Sequence, residues 1–329
     1  MSYIVIGDPH YSGSDVQKRF WSEMIEKDVN GFVILGDLFT NKRKMDALRL
    51  WEFREILDGL SKGGERFVHI VTGNHDRYYA DVNEPSNPKR LFEGYVKGVR
   101  VFDEPGTVEL DGEKVLYLPH PFGAKEAKEF GDVDVIYAHG EIRPYYPNAT
   151  ETADDFGPAD YLSGHYHKHV PGVYLGTPYS IDYSDLNEKK FYAARRDGKF
   201  FYHGNENDAP FVSLVVNGAG SAFCPYTGER FPVEKLTLAL LTGKGNVKPA
   251  GVRIIVPEAL FGDEILDRLS IFMESENVPF SIEVAKKERT ETEEGDATIP
   301  VDEDPVEILK EMLPKSVRKT FETITKEMT

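Results

Sequence analysis

The sequence has one cysteine, Cys224, in 329 residues. That excludes an intrachain disulfide and any cysteine-based zinc module, and it fits a reducing compartment. Positive charge is in deficit: 39 Lys and Arg against 56 Asp and Glu leave a net charge of −17. Such a chain does not coat nucleic acid through charge alone, although a local basic groove stays open to it. No apolar run approaches the roughly 18 residues of a membrane span. Met1 to Asp8 enter a strand pattern directly, without the basic flank and apolar core of a secretory signal. The expectation is a soluble, cytoplasmic protein with no membrane partner.

What is present is ordinary globular material, 40% hydrophobic and 29% charged, at a length that predicts about two domains. Short apolar runs (Ile4 to Ile6, Phe32 to Leu35, Phe67 to Val71, Val115 to Leu118, Val133 to Tyr137) read as buried strands. Helical segments are expected around 15–28 and 45–61, the second with an apolar stripe of Met45, Leu48, Leu50, Phe53, Ile56 and Leu57. Strands alternating with helices predict an α/β sheet covered on both faces. Asp111-Gly112 between two apolar runs predicts a hairpin turn, which makes the sheets mixed.

The pattern loosens near 204–210, where a domain boundary is expected. Beyond it, Val252 to Val256, the stripe Ile265, Leu269 and Phe272, and then Phe280 to Val284 read as a small β-α-β unit. Residues 288–304 hold eight acidic residues and one basic one, Arg289, as expected of a solvated linker. Asp304-Pro305 starts a helix, and a second one follows Pro314. Its apolar residues Val317, Phe321, Ile324 and Met328 lie on one face, which either folds back onto its own domain or docks on a partner.

The chemistry lies just beyond the apolar runs: Asp8-x-His10, Gly36-Asp37, Gly73-Asn74-His75-Asp76, His139, and Gly164-His165-x-His167. In open α/β sheets the carboxyl ends of strands are where ligands bind, so these residues are expected to converge. Carboxylates, an amide oxygen and imidazoles suit Mn²⁺, Fe or Zn²⁺ and suit Ca²⁺ poorly. Seven side chains exceed the needs of one tetrahedral ion; if Asp37 bridges, two ions receive four ligands each. Two ions about 3.5–4 Å apart can orient a phosphate and lower the pKa of a shared water. In an extended segment the alternation of His165-x-His167 would point both imidazoles the same way.

These five elements, in this order, resemble the calcineurin-like metallophosphoesterases. The resemblance implies a four-layer αββα sandwich with a binuclear site. By matching motif positions, Asp8, His10, Asp37 and His167 would hold one ion, and Asp37, Asn74, His139 and His165 the other. His75 would act on the scissile phosphate or protonate the leaving oxygen, with Asp76 orienting its ring. Glu141 is a candidate hydrogen-bond partner for a metal-bound imidazole.

Thr40-Asn41 stands where protein serine/threonine phosphatases carry Asp-Arg, and where purple acid phosphatases place a ligating Tyr. Basic and aromatic residues follow the motifs instead: Lys42, Arg43, Lys44, Arg77, Tyr78, Tyr79, Arg143, Tyr145, Tyr146 and Lys168. Cations can hold flanking phosphates and tyrosines can stack on bases. Lys42, Arg43, Lys44, Arg77, Tyr78, Arg143 and Lys168 are the candidate DNA contacts.

The whole pattern is similar to the SbcD-like DNA-repair nucleases, tailed-phage recombination endonuclease subunits included. It comprises a nuclease core over 1–205, a small α+β cap or DNA-binding domain over 206–287, an acidic linker over 288–304 and terminal helices over 305–329. That likeness implies a Mn²⁺-dependent 3′-to-5′ exonuclease and single-strand endonuclease that hydrolyses phosphodiesters with a hydroxide shared by two ions. It further implies a homodimer in a complex with an SbcC-like coiled-coil ATPase. The ATPase would bind through Val317, Phe321, Ile324 and Met328, in the host-cell cytoplasm if the chain is phage-encoded. Two other readings stay open: a small-molecule or cyclic-nucleotide phosphodiesterase, and a non-catalytic DNA-end-binding scaffold.

Overall fold

The computed structural model describes residues 2–41, 46–78, 84–206, 208–217, 220–244, 247–257 and 264–285. Lys42, Arg43, Lys44, Tyr79, the acidic run 288–304 and the segment 305–329 with Val317, Phe321, Ile324 and Met328 lie outside the described residues. Among the described residues no helix is long and apolar enough to cross a membrane.

The chain divides into two compact units. The first takes the residues up to Ile181 and Lys189–Asp208; the second takes Asp182–Glu188 and the described residues from Ala209 onward. Asp182–Glu188 joins the second unit through Asn187. Its side-chain Nδ2 donates to Ser213 Oγ at 2.7 Å, its side-chain Oδ1 accepts from Ser213 N–H at 2.9 Å, and its backbone N–H donates to the Phe211 carbonyl at 2.8 Å.

In the first unit, strands β1 (Ser2–Ile6), β2 (Gly31–Ile34), β3 (Phe67–Val71) and β4 (Val99–Phe102) run parallel, extended past β1 by antiparallel strands that close the sheet. A second sheet is made of β5 (Gly106–Leu110), β6 (Glu113–Leu118), β7 (Val135–His139) and β8 (Asp160–Gly164). Its β5–β6 hairpin turns at Asp111 (φ 53°) and Gly112 (φ 84°), two left-handed positions that suit Asp-Gly. The strands that extend the first sheet are β9 (Phe191–Arg196) and β10 (Lys199–Gly204).

Side chains alternate across each strand, and here both faces are apolar because both are covered. Ile4, Ile6, Phe32 and Ile34 pack outward against α1 (Asp15–Glu26) and α2 (Ala47–Ser61). Tyr3, Val5, Val33 and Leu35 face inward to Val115, Tyr117, Val135 and Tyr137 of the second sheet. On that sheet's far side, Leu116, Leu118, Ile136 and Ala138 meet α4 (Ala124–Ala127); α3 (Asn87–Leu91) precedes β4. The layers are helix, sheet, sheet, helix.

Helix α1 begins at a reciprocal Ser14–Gln17 cap, and α2 begins at Asp46, whose carboxylate accepts from Leu48 N–H at 2.7 Å. The buried stripe of α2 differs from the expected one: Phe53, Leu57 and Leu60 are buried, while Leu48 and Trp51 are more than half exposed. Only one face of the helix meets the sheet, and the first turn stands clear of it.

The second unit has a five-stranded sheet in the order β13-β12-β11-β14-β15. Its strands are β11 (Phe211–Val216), β12 (Ser221–Cys224), β13 (Glu229–Pro232), β14 (Gly251–Pro257) and β15 (Phe280–Ala285). Helices α5 (Leu238–Thr242) and α6 (Glu264–Ser275) cover one face, and α6 connects the parallel strands β14 and β15. Cys224 is buried in that core.

Candidate metal and phosphoester site

All five motifs lie at carboxyl ends of parallel strands. Asp8 and His10 follow β1, Asp37 follows β2, and Asn74 to Asp76 follow β3; His139 closes β7 and His165 follows β8. The two sheets are joined along this edge. The Asp8 carboxylate accepts the His165 N–H at 2.9 Å on both oxygens, and His139 Nδ1 donates to the Leu35 carbonyl at 2.7 Å. Side chains would block this approach. A Cβ on Gly73 would lie 2.1 Å from Asp37 Oδ1, and one on Gly164 would lie 2.3 Å from the Leu35 carbonyl and 2.5 Å from Asp8 Oδ1.

Because a carbonyl only accepts, His139 donates through Nδ1 and turns Nε2 inward, where a proton or a cation can sit. That nitrogen meets Asn74 Oδ1 at 3.0 Å, His165 Nδ1 at 3.3 Å and Asp37 Oδ2 at 3.4 Å, and Asn74 Oδ1 is 2.9 Å from His165 Nδ1. Ligand atoms of Asp37, His139 and His165 all lie within 4.8 Å of one another. At the other end, His10 Nε2 faces His167 Nε2 at 3.2 Å and Asp37 Oδ2 at 3.7 Å. Inward-facing acceptors repel unless a proton or a cation lies among them, so this donor set fits divalent cations. Asp37, Asn74, His139 and His165 could hold one, and His10, Asp37 and His167, with Asp8 beside them, a second.

The titration of the cluster agrees. Burial pushes His10 and His165 down to about 4, His165 further because of His139. Burial also works against a proton on His139, but the Asp37 and Asp8 carboxylates raise it to about 10. Asp8 is raised by burial, whereas the surrounding histidines, His139 foremost, overcome burial and hold Asp37 below the usual carboxylate range. The pocket calls for positive charge.

His165 and His167 do not point the same way. His165 has φ 80°, so the segment turns there, and the two rings serve opposite ends of the cluster. His75 stands at the rim, its ring 5.2 Å from that of His10. Its Nδ1 donates to the Thr40 carbonyl at 2.7 Å.

Asp76 does not orient that ring. Its buried carboxylate accepts main-chain N–H groups of Asp37 (2.8 Å), Gly73 (2.9 Å) and Leu38 (3.0 Å). Burial and the Asp37 charge push Asp76 up to about 7, against the pull of those N–H donors. Arg77 is likewise not displayed to solvent. It is 5% exposed, and its Nη atoms donate to the carbonyls of Asp103 (2.5 Å) and Glu84 (3.2 Å), so it ties the strand-end loops together.

Tyr78, Arg143 and Lys168 are exposed, though Arg143 also folds back to donate to the Ala149 carbonyl. Tyr145 and Tyr146 are half-buried against Tyr166 and Tyr174, and Tyr146 donates to the His165 carbonyl at 3.1 Å. Glu141 reaches His165 Nε2 at 3.4 Å, the outward nitrogen of an imidazole in the cluster, as such partners do. The His120 ring lies 6.4 Å from those of His139 and His165. The carbonyls of Leu35 and Thr40 are the functional groups that sequence reading misses, since any residue type carries one.

The family model for calcineurin-like phosphoesterases matches residues 1–169, and the chain belongs to that family of metal-dependent hydrolases. Over 178 residues it is 27% identical to exonuclease subunit 1 of Enterobacteria phage T4. That match covers 49% of this chain and 51% of the phage protein, so the chain spans about half the length of this relative. Among solved structures, a single-mutant Vps29 from Entamoeba histolytica aligns over 62% of this chain and 98% of its own, with a TM-score of 0.31 and 17% identity.

Proposed function

We propose that this chain is a DNA nuclease subunit: a phosphodiesterase loaded with two divalent ions, Mn²⁺ foremost. The convergence of Asp37, Asn74, His139 and His165 acceptors on one point, with His75 next to His10 at the other end of the cluster, carries the reading. The likeness to a phage exonuclease subunit supports DNA as substrate. Bound ions would neutralise charge on the phosphate and lower the pKa of a shared water.

The protein's own groups do the rest. Asp8 and Asp37, both buried, set the negative charge that selects cations. His75, held through Nδ1 by Thr40, presents Nε2 to the departing 3′ oxygen and in its imidazolium form gives it a proton. Tyr78, Arg143 and Lys168, with Lys42, Arg43 and Lys44, supply contacts to flanking nucleotides. The finer reading is 3′-to-5′ exonuclease and single-strand endonuclease action within an SbcCD-like repair and recombination complex. There a homodimer meets a coiled-coil ATPase through residues 305–329, and residues 206–287 cap the DNA.

The test is cleavage of end-labelled double-stranded DNA with Mn²⁺, Mg²⁺ or EDTA, alongside bis(p-nitrophenyl) phosphate. Mn²⁺-dependent shortening is expected, abolished by EDTA. His75→Asn should keep metal and DNA binding and lose at least 100-fold in turnover, the usual scale of general acid catalysis. Normal turnover by His75→Asn refutes the acid assignment. Hydrolysis of the small diester with DNA left intact, in the presence of the ATPase partner as well, refutes the nuclease reading in favour of a small-molecule enzyme.

A further inference from the structure

Three residues of the cluster have left-handed backbones: His10 (φ 40°), Asp37 (φ 50°) and His165 (φ 80°). Non-glycine residues resist this conformation and keep it only where their surroundings enforce it. Each is held through its own N–H by an acceptor on another strand end. His10 N–H donates to the Asp37 carbonyl at 2.9 Å, His165 N–H to the Asp8 carboxylate, and Asp37 N–H to Asp76 Oδ2 at 2.8 Å. The first two acceptors belong to residues of the cluster itself. Asp76 does not; its carboxylate accepts main-chain N–H groups, those of Asp37, Leu38 and Gly73.

The arrangement is reciprocal. While Asp76 holds the Asp37 backbone, Asp37 Oδ1 accepts the His75 N–H at 2.8 Å. That bond occupies one Asp37 oxygen and leaves Oδ2 toward both His139 Nε2 and His10 Nε2. Two turns, one after β2 and one after β3, are clasped carboxylate to backbone in both directions. Charge-assisted N–H bonds replace part of the water that this buried carboxylate has lost.

We propose that Asp76 is a positioning residue for divalent-cation binding: by clamping the left-handed Asp37 backbone, it aims Asp37 Oδ2 at the point shared by both ends of the cluster. This rests on the metal-dependent reading above. Asp76 thereby acts on ion affinity through Asp37 and never touches the substrate or the His75 ring. In Asp76→Asn one acceptor oxygen becomes an NH₂ group facing a main-chain N–H, so the clamp opens on one side while volume is kept.

The test is Mn²⁺ titration of the full chain by calorimetry, cross-read by the electron paramagnetic resonance signal of free Mn²⁺, well below the melting temperature. Thr72→Val is the comparison. It removes a buried 2.6 Å hydrogen bond to Asp103 at the same end of β3 without touching the clasp. Asp76→Asn is expected to weaken Mn²⁺ binding 10- to 100-fold, the range for groups that orient ligands. Thr72→Val is expected to lower Tm with affinity unchanged. Wild-type affinity in a folded Asp76→Asn, or an equal loss in Thr72→Val, overturns the proposal. No Mn²⁺ binding by the unsubstituted chain overturns the metal-dependent reading itself. If Asp76→Asn does not fold, hydrogen exchange in the unsubstituted, metal-free protein decides: Asp37 and Leu38 amides protected like those of β2 support the clasp, and exchange at open-turn rates overturns it.

Discussion

His69 offers a prediction that does not depend on metal. It lies on β3 between the two sheets, 7% exposed, with its ring 4.7 Å from Phe67, 5.4 Å from Phe102 and 5.3 Å from Tyr117. Nδ1 is 2.7 Å from the Tyr117 hydroxyl. Burial, reinforced by Arg100, pushes its pKa from the ordinary 6.5 down to about 4. Between those values the unfolded chain binds a proton that the folded one does not. Stability from this group is therefore full above about pH 6.5 and is lost as pH falls toward 4.

The loss amounts to about 2 kcal/mol at pH 5 and about 3 kcal/mol at pH 4. His69→Gln keeps a hydrogen-bonding group for Tyr117 but forfeits ring packing, which makes it less stable at pH 7.5 by about 1–2 kcal/mol. Urea unfolding of both proteins at pH 7.5, 6.0 and 5.0, followed by tryptophan fluorescence, measures the gap. The difference should move by about 2 kcal/mol in favour of His69→Gln by pH 5, closing the gap or reversing its sign. Parallel stability curves would refute the assignment of a neutral, proton-excluding His69.

Two further predictions follow from the packing. Gly164→Ala places a methyl group against the Leu35 carbonyl and Asp8 Oδ1, so Mn²⁺ affinity should fall at least tenfold in calorimetry; unchanged affinity would mean that the two sheets can separate at this edge. Arg195, buried on β9 of the first sheet, bonds Glu113 of β6 at 2.6 and 3.1 Å and Asp160 of β8 at 2.7 Å, with its guanidinium over Phe200. Arg195→Met should cost about 2 kcal/mol at neutral pH, because hydrogen bonds to charged groups are lost but Asp160 regains water. A Tm within one degree of the parent would refute this.

Much of the site was legible because of where the motifs fall. A parallel strand covered on both faces reads as an unbroken apolar run, so the first polar residues after it mark its carboxyl end. Asp8, Asp37, Asn74, His139 and His165 were each found that way. The hairpin at Asp111-Gly112 was legible for a similarly local reason, since only a few residue pairs accept two left-handed positions in succession. The exposure of Leu48, which the apolar stripe included, was not legible. An apolar stripe shows that a helix has an inner face, and how far along the helix the sheet reaches is set by the sheet.

By itself the sequence determined the residue types at the strand ends, strands buried on both faces and a chemistry of carboxylates and imidazoles suited to divalent ions; the four layers were implied only by the family resemblance. Tertiary structure alone decided where those side chains point. The turn at His165 sends His165 and His167 to opposite ends of the cluster. The backbone of Asp37, seated beneath Asp76, draws that carboxylate away from the His75 ring that it follows in the chain. The carbonyls of Leu35 and Thr40, which no residue type announces, choose the tautomers of His139 and His75. Local sequence constrains which residues are neighbours along a strand end, whereas side-chain direction beyond it depends on φ and on acceptors brought from other strands, and those exist only once the sheets have met.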